Sequence, residues 1–205
     1  MKASPIPSEP YQVGILLFED VEVLDFAAPF EVFSVSSELY DYRYFRVATI
    51  AAEKKLLRAR NGLQVMPDFD FAESPKLDIL IIPGGYGTRR LLLQAQVLDW
   101  IARQQPQTQI TASVCTGALL LGKLGLLDGL RCTTHRSMLQ NLQALAPKAL
   151  VQTEKRFHDE GAIMTAAGIS AGLDLSLHIV QKLFGKECLQ KTLDYMELDG
   201  YFIAE

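Results

Sequence analysis

Cys115 lies at the junction of two different patterns in the sequence. It follows the short apolar run Gln109–Val114, and it precedes the helix-forming run TGALLLGKLG. A cysteine at the end of a buried strand has its thiol at the edge of a sheet, and the free N–H groups of a following helix would favour a thiolate there. Free cysteines are also among the most buried residues. The pattern therefore predicts either a nucleophile or a small core residue at Cys115.

Two glycines form a second candidate group. Gly84 and Gly85 lie in PGGYG, directly after another apolar run. Because glycine lets the backbone approach a ligand closely, the N–H of Gly85 and that of Thr116 could form an oxyanion hole. The alternative is a simple tight turn. PGGYG lacks the lysine of a phosphate-binding loop, and no Gly-x-Gly-x-x-Gly follows a strand, so no nucleotide site is predicted.

Short apolar runs predict the strands that position these residues, because nearly continuous runs are typical of parallel strands covered on both faces. They are Tyr11–Phe18, Tyr44–Ala52, Leu77–Gly85 and Gln109–Val114. Helical patterns alternate with them: one helix begins near Pro29, one begins at Thr88, and a long one runs from Ser170 to a C-cap at Gly185. Turn signals at Asn61-Gly62 and at 159–161 predict two hairpins. This alternation predicts an α/β sandwich, with helices on both faces of a mostly parallel sheet.

Composition and charge exclude several classes of protein. The chain has 205 residues and a net charge of −4, which gives no basic footprint for nucleic acid or an anionic membrane. No apolar run approaches the roughly 20 residues of a membrane span. An odd count of three cysteines and the lack of a secretion signal predict a cytoplasmic protein with reduced thiols. We expect residues 1–10 to be a flexible lead and residues 11–205 to form one domain.

Three corners of the predicted sheet carry chemistry. In open α/β sheets, ligands bind beyond the carboxyl ends of the strands, where each strand turns into a helix. The corners are FEDVEVLDFAAP after the first strand, PGGYGT after the third predicted strand and CTG after the fourth. We expect them to converge on one crevice.

Five segments together resemble the ThiJ/PfpI superfamily, which has a flavodoxin-like, class I glutamine amidotransferase-like fold in a single-domain three-layer sandwich. They are VEVLDFAAPFEVF, IIPGGYGTRRLL, ASVCTGALLLGKLGLLDG, TTH at Thr133 to His135, and TAAGISAGLDLSLHIVQKLFG. Within the superfamily, the chain is most similar to isonitrile hydratases and to the amidotransferase-like half of AraC-type regulators. The resemblance extends from about Tyr11 to the C-terminus.

The resemblance implies roles for three residues. Cys115 would be the nucleophile, Asp25 its acidic partner and Thr116 the residue behind the nucleophile. An ionised carboxylate beside a thiolate would be repelled, so the pair would share one proton and titrate as a unit. Asp25 could then act as general acid. An N-cap on the helix predicted near Pro29 is the alternative role for Asp25.

The three histidines have different expected roles. In some members of the superfamily a histidine at the position of His135 approaches the cysteine, so His135 either lines the site or has a structural role. His178 lies in the late apolar helix, where a packing role is expected. HDE at His158 matches the His-x-Glu of glutamine amidotransferases superficially, but we expect His158 in a solvated hairpin turn. Neither the histidines nor Cys132 and Cys188 show zinc-site spacing, so no metal site is predicted.

Departures from some relatives favour a hydratase. PfpI proteases carry a histidine behind the nucleophile where this chain has Thr116, and glyoxalase-like and deglycase-like members carry a glutamate where it has Asp25. The resemblance thus implies a cysteine-dependent enzyme that adds water to an isonitrile to give an N-substituted formamide, with no metal or organic cofactor. Many relatives have a tryptophan after TTH, whereas this chain has Arg136, which leaves the size and polarity of the substrate open.

Two other classes of function stay open. A ligand-sensing module is one, although regulatory relatives carry a fused helix-turn-helix pair for which we expect no room before Glu205. A redox sensor or a carbonyl-detoxifying enzyme would use the same Cys115. Arg89 and Arg90 are expected to be solvated. The predicted partners are a small-molecule substrate and a second copy of the chain, because relatives in the superfamily are commonly dimers.

Overall fold

A seven-stranded sheet forms the centre of the computed structural model, which describes residues 7–198. Its strand order is β10-β11-β7-β6-β1-β2-β5, and two small two-stranded sheets, β3-β4 and β8-β9, lie outside it. The strands are β1 Tyr11–Leu16, β2 Phe45–Ala51, β3 Leu57–Arg58, β4 Gln64–Val65, β5 Phe69–Asp70, β6 Ile79–Ile82, β7 Ile110–Val114, β8 Arg131–Cys132, β9 Leu150–Val151, β10 Phe157–Glu160 and β11 Ile163–Ala166.

All neighbours in the central sheet are parallel except β10 and β11. Strands β6 and β7 are buried along their whole length, which explains their nearly continuous apolar sequence. The prediction of an α/β fold with a mostly parallel sheet is therefore confirmed. Much of the predicted lead, and the end of the predicted domain beyond residue 198, lie outside the described residues.

Within residues 7–198, six α-helices surround the sheet: α1 Val23–Glu38, α2 Thr88–Leu91, α3 Ala95–Gln104, α4 Ala118–Lys123, α5 Leu139–Leu145 and α6 Ala171–Tyr195. The chain moves from β1 to β2 in one direction across the sheet and from β6 to β7 in the other. Right-handed crossovers therefore place α1 and α3 on opposite faces. Helix α6 packs against α1. Because the direction reverses between β1 and β6, a crevice opens beyond the carboxyl ends of these strands.

Two predicted helix boundaries are wrong. Helix α1 begins at Val23, and Pro29 lies inside it, because the apolar pattern continues upstream of the proline. The helix predicted from Thr88 is two helices, α2 and α3, separated at residues 92–94. The break predicted at Gly185 is present, because its backbone (φ +82°, ψ 178°) is not helical, but a second helical segment follows directly and α6 extends to Tyr195.

Both predicted hairpins are present. Strands β3 and β4 pair around Asn61 and Gly62, and Gly161, with φ of +86°, lies in the turn between β10 and β11. The first hairpin docks on the corner after β1, since the Arg60 N–H donates to the Val21 carbonyl at 2.9 Å. Within residues 7–198, no helix combines the length and apolar character needed to cross a membrane.

Candidate functional site

Cys115 occupies a strained turn between β7 and α4. Its φ is +56°, in the left-handed region that costs a non-glycine residue on the order of 1–3 kcal/mol. Two hydrogen bonds hold this conformation: the Cys115 N–H donates to the Ala167 carbonyl at 2.8 Å, and the Thr134 hydroxyl donates to the Cys115 carbonyl at 2.7 Å. The backbone therefore fixes the position from which the Cys115 thiol projects.

Gly84 joins the corner after β1 to the corner after β6. Its N–H donates to Asp25 Oδ2 at 3.0 Å, and its carbonyl accepts from the Glu22 N–H at 2.9 Å. A Cβ at this position would lie 2.5 Å from the Thr116 nitrogen and 2.8 Å from Cys115 Cβ. Only glycine therefore lets the strand end approach both the acid and the cysteine elbow.

The Asp25 and Cys115 side chains form a buried pair. Asp25 is 0% exposed and Cys115 is 6% exposed. Burial raises the pKa of the Asp25 carboxyl from 3.8 to about 7, against the lowering effect of the Gly84 N–H. Burial, followed by the negative charge of Asp25, raises the pKa of the Cys115 thiol to about 12. Between these two values the pair holds one proton and one negative charge.

The expected lowering of the thiol pKa by the following helix is wrong for Cys115. The Thr116 N–H does lower this pKa, but the desolvation of the thiol outweighs it. A further reason is that α4 has only six residues and follows a turn of 3-10 helix. Thiolate formation in this site therefore depends on how Asp25 shares its proton rather than on the helix.

Asp25 does not cap a helix. It is the third residue of α1, and the N-cap residue, Glu22, makes no side-chain capping bond. Of the two carboxyl oxygens, Oδ2 accepts from Gly84, whereas Oδ1 is buried without a hydrogen-bond partner of normal geometry in the described part of the chain. Oδ1 is therefore the oxygen free to exchange a proton beside the Cys115 thiol.

The hydroxyl of Thr116 and the N–H of Gly85 bind each other instead of facing a substrate. The Gly85 N–H donates to Thr116 Oγ1 at 3.0 Å, and the Thr116 hydroxyl lies 3.1 Å from the Gly85 carbonyl. Thr88 Oγ1 donates to Thr116 Oγ1 at 3.0 Å. The predicted oxyanion hole from the Gly85 and Thr116 N–H groups is thus wrong for Gly85, because its donor is already used.

Ile169 supplies a donor that sequence reasoning missed. The Ile169 backbone N–H lowers the pKa of both the Asp25 carboxyl and the Cys115 thiol, so it interacts with each group. Ile169 has a φ of +52° and lies just before α6. Nothing in an isoleucine suggests this conformation, although the small residues of GISAG mark a tight turn here. The donors at the sulfur are therefore the N–H groups of Thr116 and Ile169.

Cys115 opens into a cavity of about 600 Å³, within the range of about 300–1,000 Å³ for small-molecule sites. His135 lines it, with Nδ1 2.8 Å from Ser137 Oγ and its ring packed against Gly168. Arg136 does not line this cavity and faces a neighbouring groove of about 520 Å³. Other lining residues are Glu22, Arg60, Asn61, Gly85, Tyr86, Arg89, Thr116, Met138 and Ile169.

The prediction for His158 is wrong, whereas the packing role predicted for His178 is present. His158 lies in strand β10 and is 7% exposed; burial is the main cause of its lowered pKa. The turn begins only after Glu160, two residues later than predicted. The His178 ring packs on the Phe157 ring with centroids 4.9 Å apart, and its Nε2 also lies 2.8 Å from Asp159 Oδ2. Neither histidine lines the Cys115 cavity.

Residues 7–198 contain no candidate cluster of metal ligands. No three His, Cys, Asp or Glu side chains there are grouped so that they could hold an ion. Cys132 and Cys188 are buried free thiols, as is Cys115.

Residues 11–182 match the DJ-1/PfpI family. Over 87% of its length, the chain is 34% identical to isonitrile hydratase of Pseudomonas putida and covers 75% of that protein. It is 28% identical to the HTH-type transcriptional regulator GbdR of Pseudomonas aeruginosa over 89% of its length, but it spans only 49% of that regulator.

Solved structures give the same fold. A THiJ/PfpI family protein from Pseudomonas syringae superposes with a TM-score of 0.86 at 27% identity, covering 97% of this chain and 79% of the other. DJ-1beta of Drosophila melanogaster superposes with a TM-score of 0.81 at 21% identity, covering 94% of this chain and all of the other.

Proposed function

This chain belongs to the DJ-1/PfpI family, and we propose that it is a cysteine-dependent hydratase that converts isonitriles into N-substituted formamides. The observation that carries the proposal is the buried Cys115–Asp25 pair, which holds one shared proton next to a small-molecule cavity. The similarity to isonitrile hydratase of Pseudomonas putida supports the reaction class.

In the first step, the Cys115 sulfur attacks the terminal carbon of the isonitrile. That carbon is electrophilic and becomes basic as the carbon–sulfur bond forms. Asp25 delivers the shared proton to it from Oδ1, which is not occupied by another donor of normal geometry. The product is an S-linked thioimidate, and Asp25 is left as a carboxylate that accepts from the Gly84 N–H.

In the second step, water adds to the thioimidate carbon. Asp25 takes one proton from this water and passes it to the nitrogen, which gives a tetrahedral adduct with one hydroxyl. The adduct collapses when the second proton of the water moves from the hydroxyl to Asp25, the carbon–oxygen double bond forms and the sulfur leaves as thiolate. One water is consumed, one formamide is released, and the starting pair is restored.

Backbone donors support the charge on sulfur in this sequence. The Thr116 and Ile169 N–H groups both favour the ionised form of Cys115. They are held in place by the surrounding turns, so they need no reorganisation when the thiolate forms or leaves. In this proposal, Thr116 acts through its N–H, while its hydroxyl fixes the Gly85 turn.

The same cysteine is less suited to redox sensing. A redox sensor needs a resting thiolate, whereas the pKa of about 12 keeps the resting sulfur a thiol. The hydratase proposal needs the thiolate only during the attack, while Asp25 holds the proton. His135 lines the cavity but has no step assigned to it in the proposed mechanism. A cytoplasmic location and a homodimer remain predictions.

A turnover screen tests the proposed function. Cyclohexyl isonitrile and methylglyoxal are incubated with the wild type, Cys115→Ala and Cys132→Ala, a control that removes a buried thiol outside the cavity. We expect formamide release from the isonitrile by the wild type and by Cys132→Ala, and none by Cys115→Ala. Turnover of methylglyoxal but not of the isonitrile would contradict the proposal, as would an active Cys115→Ala.

A further inference from the structure

One cation in the Cys115 cavity, Arg89, forms no ion pair with any of residues 7–198. The guanidinium carbon of Arg89 lies 4.7 Å from the centroid of the Tyr86 ring, and Nη2 lies 3.6 Å from Met138 Sδ. Both contacts orient the guanidinium, but neither neutralises it. Arg89 is therefore positioned with its charge available to a ligand in the cavity.

The neighbouring arginines differ from Arg89 in this respect. Arg60 also lines the cavity, but its Nη1 is 3.3 Å from Glu22 Oε2. Arg90 is adjacent to Arg89 in sequence, and its Nη2 is 2.8 Å from Asp20 Oδ2. Glu22 and Arg60 cancel each other, so the side chains that line the cavity leave one positive charge, that of Arg89.

The reacting pair at the same cavity has the opposite sign. The Cys115–Asp25 pair with one proton carries one negative charge, which repels an anion that approaches the sulfur. A substrate without charge would need no cation here, whereas an anionic substrate needs one to offset the repulsion. The single free guanidinium thus matches a ligand with a single negative charge.

We propose that the cavity selects substrates that carry a carboxylate, and that Arg89 binds this group while the reactive carbon meets Cys115. A planar guanidinium matches a carboxylate through two parallel hydrogen bonds. A phosphate with two charges would be less well balanced by one arginine. The reaction at the carbon rests on the proposed function, but the binding of the carboxylate does not.

Alkylation of Cys115 tests the binding without any turnover. Iodoacetate and iodoacetamide place the same carbon on the sulfur, but only iodoacetate is an anion. The rate constant of iodoacetate at Cys115 is divided by that of iodoacetamide, both measured by mass spectrometry. This ratio is then divided by the same ratio for free N-acetylcysteine. We expect this normalised ratio to fall about tenfold in Arg89→Gln and to stay at the wild-type value in Arg90→Gln, the matched control.

A tenfold fall corresponds to about 1.4 kcal/mol of lost attraction for the anion. An unchanged ratio in Arg89→Gln would overturn the proposal, and so would an equal fall in Arg90→Gln, because the effect would then be a general loss of surface charge.

A matched substrate pair separates this inference from the hydratase proposal. Isocyanoacetate and its methyl ester differ in one charge, and the ratio of their kcat/KM values should fall about tenfold in Arg89→Gln. If neither is hydrated but the alkylation ratio falls, the hydratase proposal fails and the role of Arg89 stands. If both are hydrated and neither ratio changes in Arg89→Gln, the role of Arg89 fails and the hydratase proposal stands.

Discussion

Replacement of Asp25 by asparagine should stabilise the fold while it removes activity. In the unfolded chain this carboxyl ionises above its ordinary pKa of 3.8, whereas in the fold burial raises the pKa to about 7. The folded state thus holds the proton more tightly. The contribution of the protonated carboxyl to the free energy of unfolding is fully present below pH 3.8 and is lost as the pH rises to about 7.

The size of this loss follows from the two pKa values. The difference between 3.8 and about 7 corresponds to roughly 4 kcal/mol above pH 7. At pH 5 less than half of that cost is present. Asparagine is uncharged at every pH and keeps the shape of the side chain, so Asp25→Asn avoids the cost. We expect it to be more stable than the wild type by up to roughly 4 kcal/mol at pH 8, and by much less at pH 5.

Urea unfolding at pH 5 and pH 8 measures this difference. The single tryptophan, Trp100, is 2% exposed and stacks on Phe71 at 4.3 Å, so its fluorescence reports unfolding. The matched control is Asp174→Asn. Asp174 is also buried, but it pairs with Arg156, so its replacement should destabilise the fold at both pH values.

The same variant should lose turnover of an isonitrile by on the order of 10² or more, because an amide cannot deliver the proton. A wild-type unfolding free energy with the same pH dependence as that of Asp25→Asn would refute the raised pKa. Near wild-type turnover in Asp25→Asn would refute the assignment of Asp25 as the acid. Greater stability with lost activity is the expected combination at a site under strain.

Further measurements test other parts of the site. The kcat/KM for an isonitrile should rise with pH to a plateau above about 7, because the fully protonated pair has no thiolate; a flat profile across pH 7 would contradict the shared proton. Mass spectrometry of the native protein treated with iodoacetamide should show Cys115 labelled first, since Cys132 and Cys188 are 0% and 1% exposed; earlier labelling of either would disprove this order. Gly84→Ala should lower turnover at least about tenfold, since its Cβ would meet the Thr116 nitrogen at 2.5 Å; wild-type kinetics would show that the close approach is unimportant. Light scattering at micromolar concentration should give twice the chain mass, and a monomer would contradict the predicted homodimer.

The sequence predicted the sheet better than the helices. Buried parallel strands such as β6 and β7 are short and apolar throughout, and that pattern is hard to confuse with another element. Helix ends depend on competing local effects. Pro29 indicated a first helical turn, but tertiary packing of the preceding residues extends α1 back to Val23. Gly185 did break the last helix, but its residue type did not indicate that a second helical segment follows it.

The sequence predicted which side chains of the candidate site meet, but it did not predict which backbone N–H groups are free to donate there. Cys115, Asp25 and Gly84 meet because the ends of three strands meet, which topology alone dictates. Which N–H group is free is a matter of hydrogen-bond geometry. The residue types do not indicate that Gly85 donates to the Thr116 hydroxyl, nor that Ile169 adopts a left-handed conformation. The pKa of the thiol also depends on the depth of burial, which spacing does not reveal.

The attachment of Gly84 to both the Asp25 carboxylate and the Glu22 backbone has a consequence for protein engineering. The reacting pair is held by main-chain bonds and one glycine, whereas Tyr86, Arg89 and Met138 line the cavity through side chains. A library that varies only these three positions should therefore change which molecules are accepted while the nucleophile keeps its geometry. New specificities on this scaffold should be accessible in a few substitutions, and insertions near residue 84 should be the changes that end catalysis.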